Sequence, residues 1–225
     1  MRGGISLCAV LVLSVAMFAI PAGSANAGRV VDVVSYTGSN NWNNYGGNMS
    51  DLFSGEEITK VDPLDPATWT AGGGAYTSEW QAAKLLSGAA NNKIAWTAFD
   101  FGDTVSDLEN IYFWNIRQGS GGNAQTLTYN MYYATSPTVA MPVAPTSSSS
   151  AVDYDFSSAG WILLNGGGVL TMPQRGSEPD PADQVISLGG ISARHIGVEI
   201  ITNRGSTSRA GLSEVAVTEL VPTMT

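Results

Sequence analysis

Residues 193–217, "ARHIGVEIITNRGSTSRAGLSEVAV", contain two strand patterns separated by a turn. Apolar residues recur at alternate positions over 196–201 and again over 214–220, and a polar stretch containing glycine lies between them. Successive side chains of a strand point to opposite faces, so this alternation predicts two half-buried strands. Glu214 is the exception, because it places a carboxylate at the start of an apolar run. Its role depends on what the rest of the chain permits.

The same alternation recurs along most of the chain. Further strand patterns occupy residues 94–101 ("IAWTAFDF"), 111–116 ("IYFWNI"), 127–134 ("LTYNMYYA") and 161–164. Short β-branched and aromatic runs separated by Gly, Asn, Ser and Pro are typical of a sandwich or barrel, so the sequence predicts an all-β fold. Residues 78–86, "SEWQAAKLL", predict one short helix, and residues 135–150 and 173–183 predict long polar loops.

The first 27 residues predict a secretory signal peptide. Arg2 gives the segment a positive start, an apolar run follows, and Ala25-Asn26-Ala27 forms a small-x-small cleavage pattern. The run is too short to cross a hydrocarbon core of about 30 Å comfortably, so no membrane span is expected after cleavage. We therefore expect a secreted protein, either extracellular or in the periplasm or at the cell surface.

The remaining chain predicts a single domain. Residues 28–39 are interpreted as an N-terminal strand or lead-in, 40–221 as the domain and 222–225 as a tail. The only cysteine, Cys8, lies in the signal peptide. The sequence therefore predicts a domain without a disulfide, a thiol nucleophile or a thiolate metal site. Its stability must come from packing or from a bound ion.

The net charge argues against two classes of partner. The chain has 19 acidic and 10 basic residues, for a formal charge of −9. Such a chain is repelled by phosphate backbones and by anionic lipid headgroups, so nucleic acid and membrane surfaces are poor partners. Divalent cations and neutral sugars remain open, and nothing in the sequence indicates the oligomeric state.

Three segments, taken in order, carry a resemblance to a known family. Residues 96–116 hold a strand ending near Asp-Phe-Gly and a second strand with Trp114-Asn115. Residues 127–137, "LTYNMYYATSP", form another strand and turn, and residues 193–217 end in Gly-Leu-Ser-Glu-Val. Together they resemble the discoidin family, also called the coagulation factor V/VIII type C domain. The resemblance covers roughly residues 40–219 and implies a jelly-roll β-sandwich of the galactose-binding-like type.

Catalysis has little support in the sequence. His195 is the only histidine, and it lies in an alternating strand with Ile196, Val198 and Ile200 on the opposite face, where a structural role is the simpler interpretation. The carboxylates that could act as a pair are explained as turn residues beside strands. They are Asp100, Asp103, Asp107, Asp153 and Asp155. We therefore expect no enzyme activity, and a glycoside hydrolase is the weakest alternative.

A structural calcium site is one implication of the resemblance. In the family, a loop near the start of the domain and the Glu of the Ser-Glu-Val motif together hold Ca²⁺, and Glu214 matches that Glu. Ser54 stands where the family usually has an acid, and Asp51 could take its place. Calcium binds six to eight oxygen ligands, so the alternative is a Glu214 that only accepts hydrogen bonds from loop N–H groups.

A carbohydrate site is the other implication. Trp42 and Tyr45 lie among asparagines in "SNNWNNYGG", as an aromatic sugar platform would require, although Trp42 could instead close one end of the sandwich. Trp96, Trp114 and Trp161 lie in strand patterns and are predicted to be core residues. The side chains predicted to hydrogen-bond the ligand from loops are Arg117, Gln118, Asn203 and Arg204.

The sequence as a whole predicts a secreted, non-catalytic module. Its expected role is to bind extracellular or cell-surface glycan, in recognition or adhesion. The alternative is a structural envelope or matrix protein that uses the jelly roll only to pack against other proteins.

Overall fold

The structure is a computed structural model of the chain, and it describes residues 28–39, 49–55, 58–72, 79–85, 88–117, 123–135, 141–142, 152–158, 160–164, 166, 168–175 and 181–221. The strands are β1 (Arg29–Val30), β2 (Ser35–Gly38), β3 (Ile58–Thr59), β4 (Thr70–Ala71), β5 (Trp80–Ala83), β6 (Ala95–Asn115), β7 (Thr126–Ala134), β8 (Ile162–Leu163), β9 (Leu170–Thr171), β10 (Gln184–Asn203) and β11 (Arg209–Glu219). Within these residues there is one α-helix, α1 (Asp51–Ser54), and there are 3₁₀ turns at Pro66–Thr68, Ala90–Asn92 and Phe156–Ser158.

Two long strands, β6 and β10, run antiparallel to each other through both layers of a β-sandwich. The first half of β6 pairs with β2, and its second half pairs with β11. The C-terminal half of β10 also pairs with β7, which in turn pairs with β8 and β9. The register between β6 and β10 slips repeatedly between Ser187 and His195, and Gly189 and Gly190 in that region have positive φ. Bulges of this kind bend a strand, so both strands pass from one layer into the other.

The main core lies between the two layers. Phe99, Val198 and Ile200 from the first layer belong to the same buried cluster as Phe113 and Val215 from the second. Burial of alternate residues on facing strands is what the sequence pattern predicted. The all-β fold prediction is therefore confirmed.

The individual strand predictions agree with the structure, with one difference in β6. The patterns at 127–134 and 196–201 lie in β7 and β10, the pattern at 214–220 runs one residue past the end of β11, and the pattern at 161–164 contains β8. The patterns at 94–101 and 111–116, expected to be separated by a turn, belong to the single strand β6. Gly102 and Asp107 adopt positive φ, so the chain bends between the two halves and pairing with β10 continues on either side of the bend.

The helix predicted at residues 78–86 is wrong. Residues 80–83 form β5, which pairs antiparallel with the start of β11. Trp80 and Ala82 both enter the main core, as the two-residue period of a strand requires. An available sheet edge has overridden the helical preference of alanine and leucine, which is a weak one. The short helix of the fold is α1, and no helix in the described part of the chain is long and apolar enough to cross a membrane.

The outer face of the first layer, which points away from the main core, is covered by residues 152–158 and 160–164. We call these residues the cover segment. Its Phe156 is fully buried and stacks on Tyr132 of β7, with ring centroids 5.2 Å apart. Phe156 also lies directly on Gly197 of β10, where an added Cβ would come within 2.3 Å of the ring. Glycine is therefore the residue that lets the cover segment close onto the sheet.

The tryptophans predicted to be core residues are buried, which confirms that prediction. Trp96 lies on the sheet under the cover segment, Trp161 belongs to the cover segment and packs in the same cluster, and Trp114 lies on the outer face of the second layer against Trp69. Trp96 and Trp114 have no exposed surface, and Trp161 is 7% exposed. Aromatic side chains form most of these two outer clusters, and each of them buries a large apolar area.

Candidate functional site

Three of the residues predicted to bind a ligand lie in the described part of the chain. All three are at the same end of the sandwich. Arg117 follows β6, while Asn203 is the last residue of β10 and Arg204 begins the turn that leads to β11. The backbone N–H of Arg204 donates to the carbonyl of Gln125, which is itself bridged to Gly211 at the start of β11. We call this end of the molecule the loop end. Trp42, Tyr45 and Gln118 lie outside the described residues.

The turn at the loop end is held in one shape by its own side chains. Asn203 Nδ2 donates to the carbonyls of Ser206 (3.0 Å) and Arg209 (2.6 Å), and Asn203 Oδ1 accepts from the N–H of Gly205 (3.1 Å). Ser206 Oγ accepts from the N–H groups of Ser208 and Arg209. Asn203 therefore shapes the turn with the amide that was predicted to bind a ligand.

Cationic side chains brace the same end. Arg204 Nη2 donates to the carbonyl of Met172 (2.8 Å), and Lys84 Nζ donates to the carbonyl of Ser206 (3.2 Å). Both acceptors are neutral carbonyls, so neither contact is an ion pair. Beneath them, buried Arg175 lies 3.6 Å from Glu79 and donates to the carbonyl of Asn115. Neither Lys84 nor Arg175 was predicted from the sequence to lie at this end, because Lys84 fell within the predicted helix and Arg175 within the predicted loop at 173–183.

A pocket of about 350 Å³ opens beside this turn and is lined by residues 84–85, 88–89 and 92–94. The pocket lining is hydrogen-bonded to the turn, because the N–H of Lys84 donates to the carbonyl of Ser208. Asn91 and Asn92 both adopt φ of 56°, a left-handed conformation that asparagine tolerates better than most residues. Both side chains are exposed, but only Asn92 lines the pocket.

The residues predicted to bind calcium lie on two elements that pack together. Helix α1 carries Asp51 and Ser54 and contacts β11, which carries Glu214. Glu214 is 2% exposed. Asp51 Oδ2 is buried and accepts no hydrogen bond from any described residue, whereas Ser54 is exposed and its hydroxyl donates to the carbonyl of Asp51. No group of three or more His, Cys, Asp or Glu side chains arranged to hold a metal occurs among the described residues.

His195 is buried on the outer face of the first layer, under Trp161 of the cover segment. Its Nε2 lies 3.4 Å from Asp100 Oδ1, and Asp100 is also bound by the guanidinium of Arg194. Burial lowers the pKa of His195, although Asp100 opposes the shift. Burial raises the pKa of Asp100, but the hydrogen bonds from Arg194 and Gly102 outweigh it and leave that pKa lowered. No nucleophile pairs with His195 among the described residues, and its contacts are those of a packed histidine.

The lowered pKa of His195 predicts a loss of stability at mildly acidic pH. The unfolded chain binds a proton at this histidine near pH 6.5, whereas the folded chain does so only at lower pH. The part of the folding stability that depends on a neutral His195 is therefore fully present above about pH 6.5. This part falls as the pH drops from 7 toward 5, and the free energy of unfolding decreases by at most about 1.4 kcal/mol per pH unit. Urea unfolding of the wild type and of His195→Gln over this range would measure it. The variant should have the flatter profile, and equal slopes would contradict the prediction.

Comparison with known proteins supports the fold. No family model and no curated protein matches the chain. The F5/8 type C domain of a Bacteroides fragilis protein superposes with a TM-score of 0.50 at 14% identity, covering 88% of this chain and 99% of that chain. The module CBM32-3 from a family 31 glycoside hydrolase of Clostridium perfringens gives a TM-score of 0.46 at 11% identity, covering 86% and 93%. The family 32 CBM from C. perfringens NanJ, solved in complex with galactose, gives 0.44 at 12% identity, covering 82% and 93%. The superposition on the F5/8 type C domain confirms the jelly-roll fold that the resemblance implied.

Proposed function

We propose that the protein is a secreted, non-catalytic carbohydrate-binding module that holds a glycan at its loop end. The observation that carries the proposal is the pocket beside the braced turn, because its volume of about 350 Å³ suits a small ligand. Lys84 and Asn92 on its wall supply hydrogen-bond donors for sugar hydroxyls. The turn beside the pocket is already fixed by the hydrogen bonds of Asn203. Glycan binding would therefore cost little conformational entropy in this part of the chain.

A glycan array probed with the full chain, with and without calcium, tests this function. A glycan found on the array is then titrated by calorimetry against two asparagine variants. Asn92→Gly removes a pocket amide while keeping a residue that accepts positive φ, and it should weaken binding by about tenfold, as expected for one lost hydrogen bond. Asn91→Gly is the matched control, because Asn91 has the same φ but does not line the pocket.

Two other results would assign a different function. If the folded protein binds no glycan in either condition, the structural envelope or matrix role becomes the better account. Turnover of a polysaccharide that is abolished by a carboxylate substitution would instead support a glycoside hydrolase. Trp42→Ala separately tests the predicted aromatic platform, and unchanged affinity in that variant would remove Trp42 from the site.

A structural calcium ion is the second part of the proposal. Asp51 offers a buried carboxylate oxygen that accepts no hydrogen bond from the described residues, on a helix packed against the strand of Glu214. Oxygen donors from carboxylates and main-chain carbonyls are the set that Ca²⁺ prefers. Asp51 and Glu214 would supply the carboxylates, and main-chain carbonyls would have to complete the shell.

The calcium site predicts a stability that depends on chelator. Addition of EDTA should lower the Tm of the wild type, because an ion that binds only the folded state stabilises it. The Glu214→Gln variant should have a lower Tm that no longer responds to EDTA. Differential scanning calorimetry with and without chelator provides the measurement. Wild-type curves that coincide in the two conditions would exclude a stabilising ion.

A further inference from the structure

A buried cluster under the cover segment brings an amine and two carboxylates together. Lys93 precedes β6 and has no exposed side-chain surface. Its Nζ lies 2.9 Å from Asp153 Oδ1 and 3.2 Å from Glu199 Oε1, and it also contacts the carbonyl of Tyr154. Glu199 is equally buried, while Asp153 at the start of the cover segment is 38% exposed. A lysine and a glutamate are rarely removed from water so completely.

The surroundings of this cluster are apolar and rigid. Trp96, Tyr132 and Phe156 form a buried aromatic group around it. Trp96 Nε1 donates to the carbonyl of Val152 (2.8 Å), which fixes the main chain next to Asp153. The Tyr132 hydroxyl donates to Glu199 Oε2 (2.8 Å), and this bond holds the carboxylate beside the lysine.

Two main-chain N–H groups point at the carboxylate of Asp153. The N–H of Ala90 donates to Oδ2 (2.7 Å), and the N–H of Tyr154 donates to Oδ1 (2.8 Å). Donors fixed in this way stabilise the negative charge that develops on oxygen when a carboxyl carbon is attacked. The arrangement therefore places an amine, a carboxyl carbon, a buried proton carrier and an oxyanion site side by side, with Lys93 and Glu199 buried and Asp153 at the edge of the cluster.

We infer that Lys93 and Asp153 condense into an intramolecular isopeptide bond, with Glu199 carrying the protons. The inference is independent of glycan binding. It gives a cysteine-free domain a covalent link between the loop before β6 and the cover segment. Such a link would constrain the unfolded chain as a disulfide does.

The reaction balances without any other reagent. The starting pair is the ammonium of Lys93 and the carboxylate of Asp153. Burial raises the pKa of Asp153, but hydrogen bonds from Lys93 and the N–H of Ala90 outweigh burial and keep the carboxyl group ionised. Glu199 relays one proton from the ammonium to Asp153 Oδ1, so that the pair becomes a neutral amine and a carboxylic acid. The amine then attacks Cγ of this acid to form the C–N bond. Two protons in total pass from nitrogen to Oδ1, which leaves as water, while Oδ2 becomes the amide oxygen bound to Ala90.

The condensation also removes a costly arrangement of charges. Holding an ammonium group out of water is unfavourable even when it is paired, whereas a secondary amide is neutral. The new amide N–H remains beside Glu199, which keeps its hydrogen bond from Tyr132. The positions that the structure gives these groups therefore favour the product.

Mass spectrometry of the full chain, purified after expression and digested with trypsin, tests the inference. Unlinked protein gives separate peptides 85–93, 94–117 and 118–175. The isopeptide bond blocks cleavage after Lys93 and joins 85–117 to 118–175, with a combined mass lower by one water, about 18 Da. Recovery of the three separate peptides from folded wild-type protein overturns the inference and leaves only an ion pair.

Variants separate the roles of the three residues. Lys93→Arg should give no linked peptide. Asp153→Asn should still form the bond but lose ammonia, about 17 Da, because the leaving group is then nitrogen. Glu199→Gln should leave the peptides unlinked, and circular dichroism establishes that the variant is folded. A linked peptide in folded Glu199→Gln would overturn its role as proton carrier.

Discussion

Replacing Phe156 with alanine is expected to lower the free energy of unfolding by about 3–5 kcal/mol, the usual cost of removing a fully buried phenylalanine. The ring contacts Tyr132, Tyr154 and Trp161 at centroid distances of 4.8–5.2 Å, so no neighbour can fill the space without leaving its own contacts. Globular domains are typically stable by only about 5–15 kcal/mol, so the loss would be a large fraction of the total. Urea unfolding monitored by tryptophan fluorescence measures it.

A double-mutant cycle with Gly197 identifies the contact responsible. Gly197→Ala alone should cost about 1–3 kcal/mol, because its new methyl group overlaps the Phe156 ring. In the Phe156→Ala background the same change should cost little, since the ring is gone. A clear coupling energy would establish that the cover segment packs on β10 as described. Additive effects of the two substitutions would contradict that packing.

The second large effect is expected at Gly211 on β11. A Cβ at this position would lie 2.0 Å from the carbonyl oxygen of Trp80, which is main chain and cannot rotate away. Gly211→Ala should therefore separate β5 from β11 and expose Trp80, at a cost of about 3 kcal/mol or more.

Gly166→Ala is the matched control for Gly211→Ala. Gly166 has φ of 62°, and no atom of the described residues lies within 4 Å of an added Cβ, so the cost of the left-handed backbone remains, about 1–2 kcal/mol. The two variants should differ clearly in the urea concentration at the midpoint of unfolding. Equal midpoints would mean that β5 is not held against β11 in solution.

The sandwich could be predicted from sequence because its strands obey a period of two over long stretches. Residues 127–134 and 196–201 place alternate aromatic and β-branched side chains into one core, and the local pattern and the tertiary packing agree there. Residues 80–83 are different. Their sequence suits a helix, and only the free edge of β11, which lies more than a hundred residues away in the chain, makes them a strand.

The polar side chains were harder to predict, because their roles depend on partners distant in sequence. Lys93 follows two asparagines and has the appearance of a solvated loop residue, yet Glu199 and Asp153 surround it. The sequence predicts Asp153 to be a turn residue, which describes its hydrogen bond to Tyr154 but not its contact with Lys93. Asn203 was predicted to face a ligand, and the hydrogen bonds of its amide close the turn.

The passage of β6 and β10 through both layers has a consequence for how the protein opens. Each layer consists partly of the same two strands, so neither layer can lose its hydrogen bonds while the other stays intact. Amide protons of Phe99 and Phe113, on opposite sides of the bend, should therefore exchange with deuterium at a common slow rate set by global unfolding. The sandwich would behave as one cooperative unit, with fraying confined to the short outer strands.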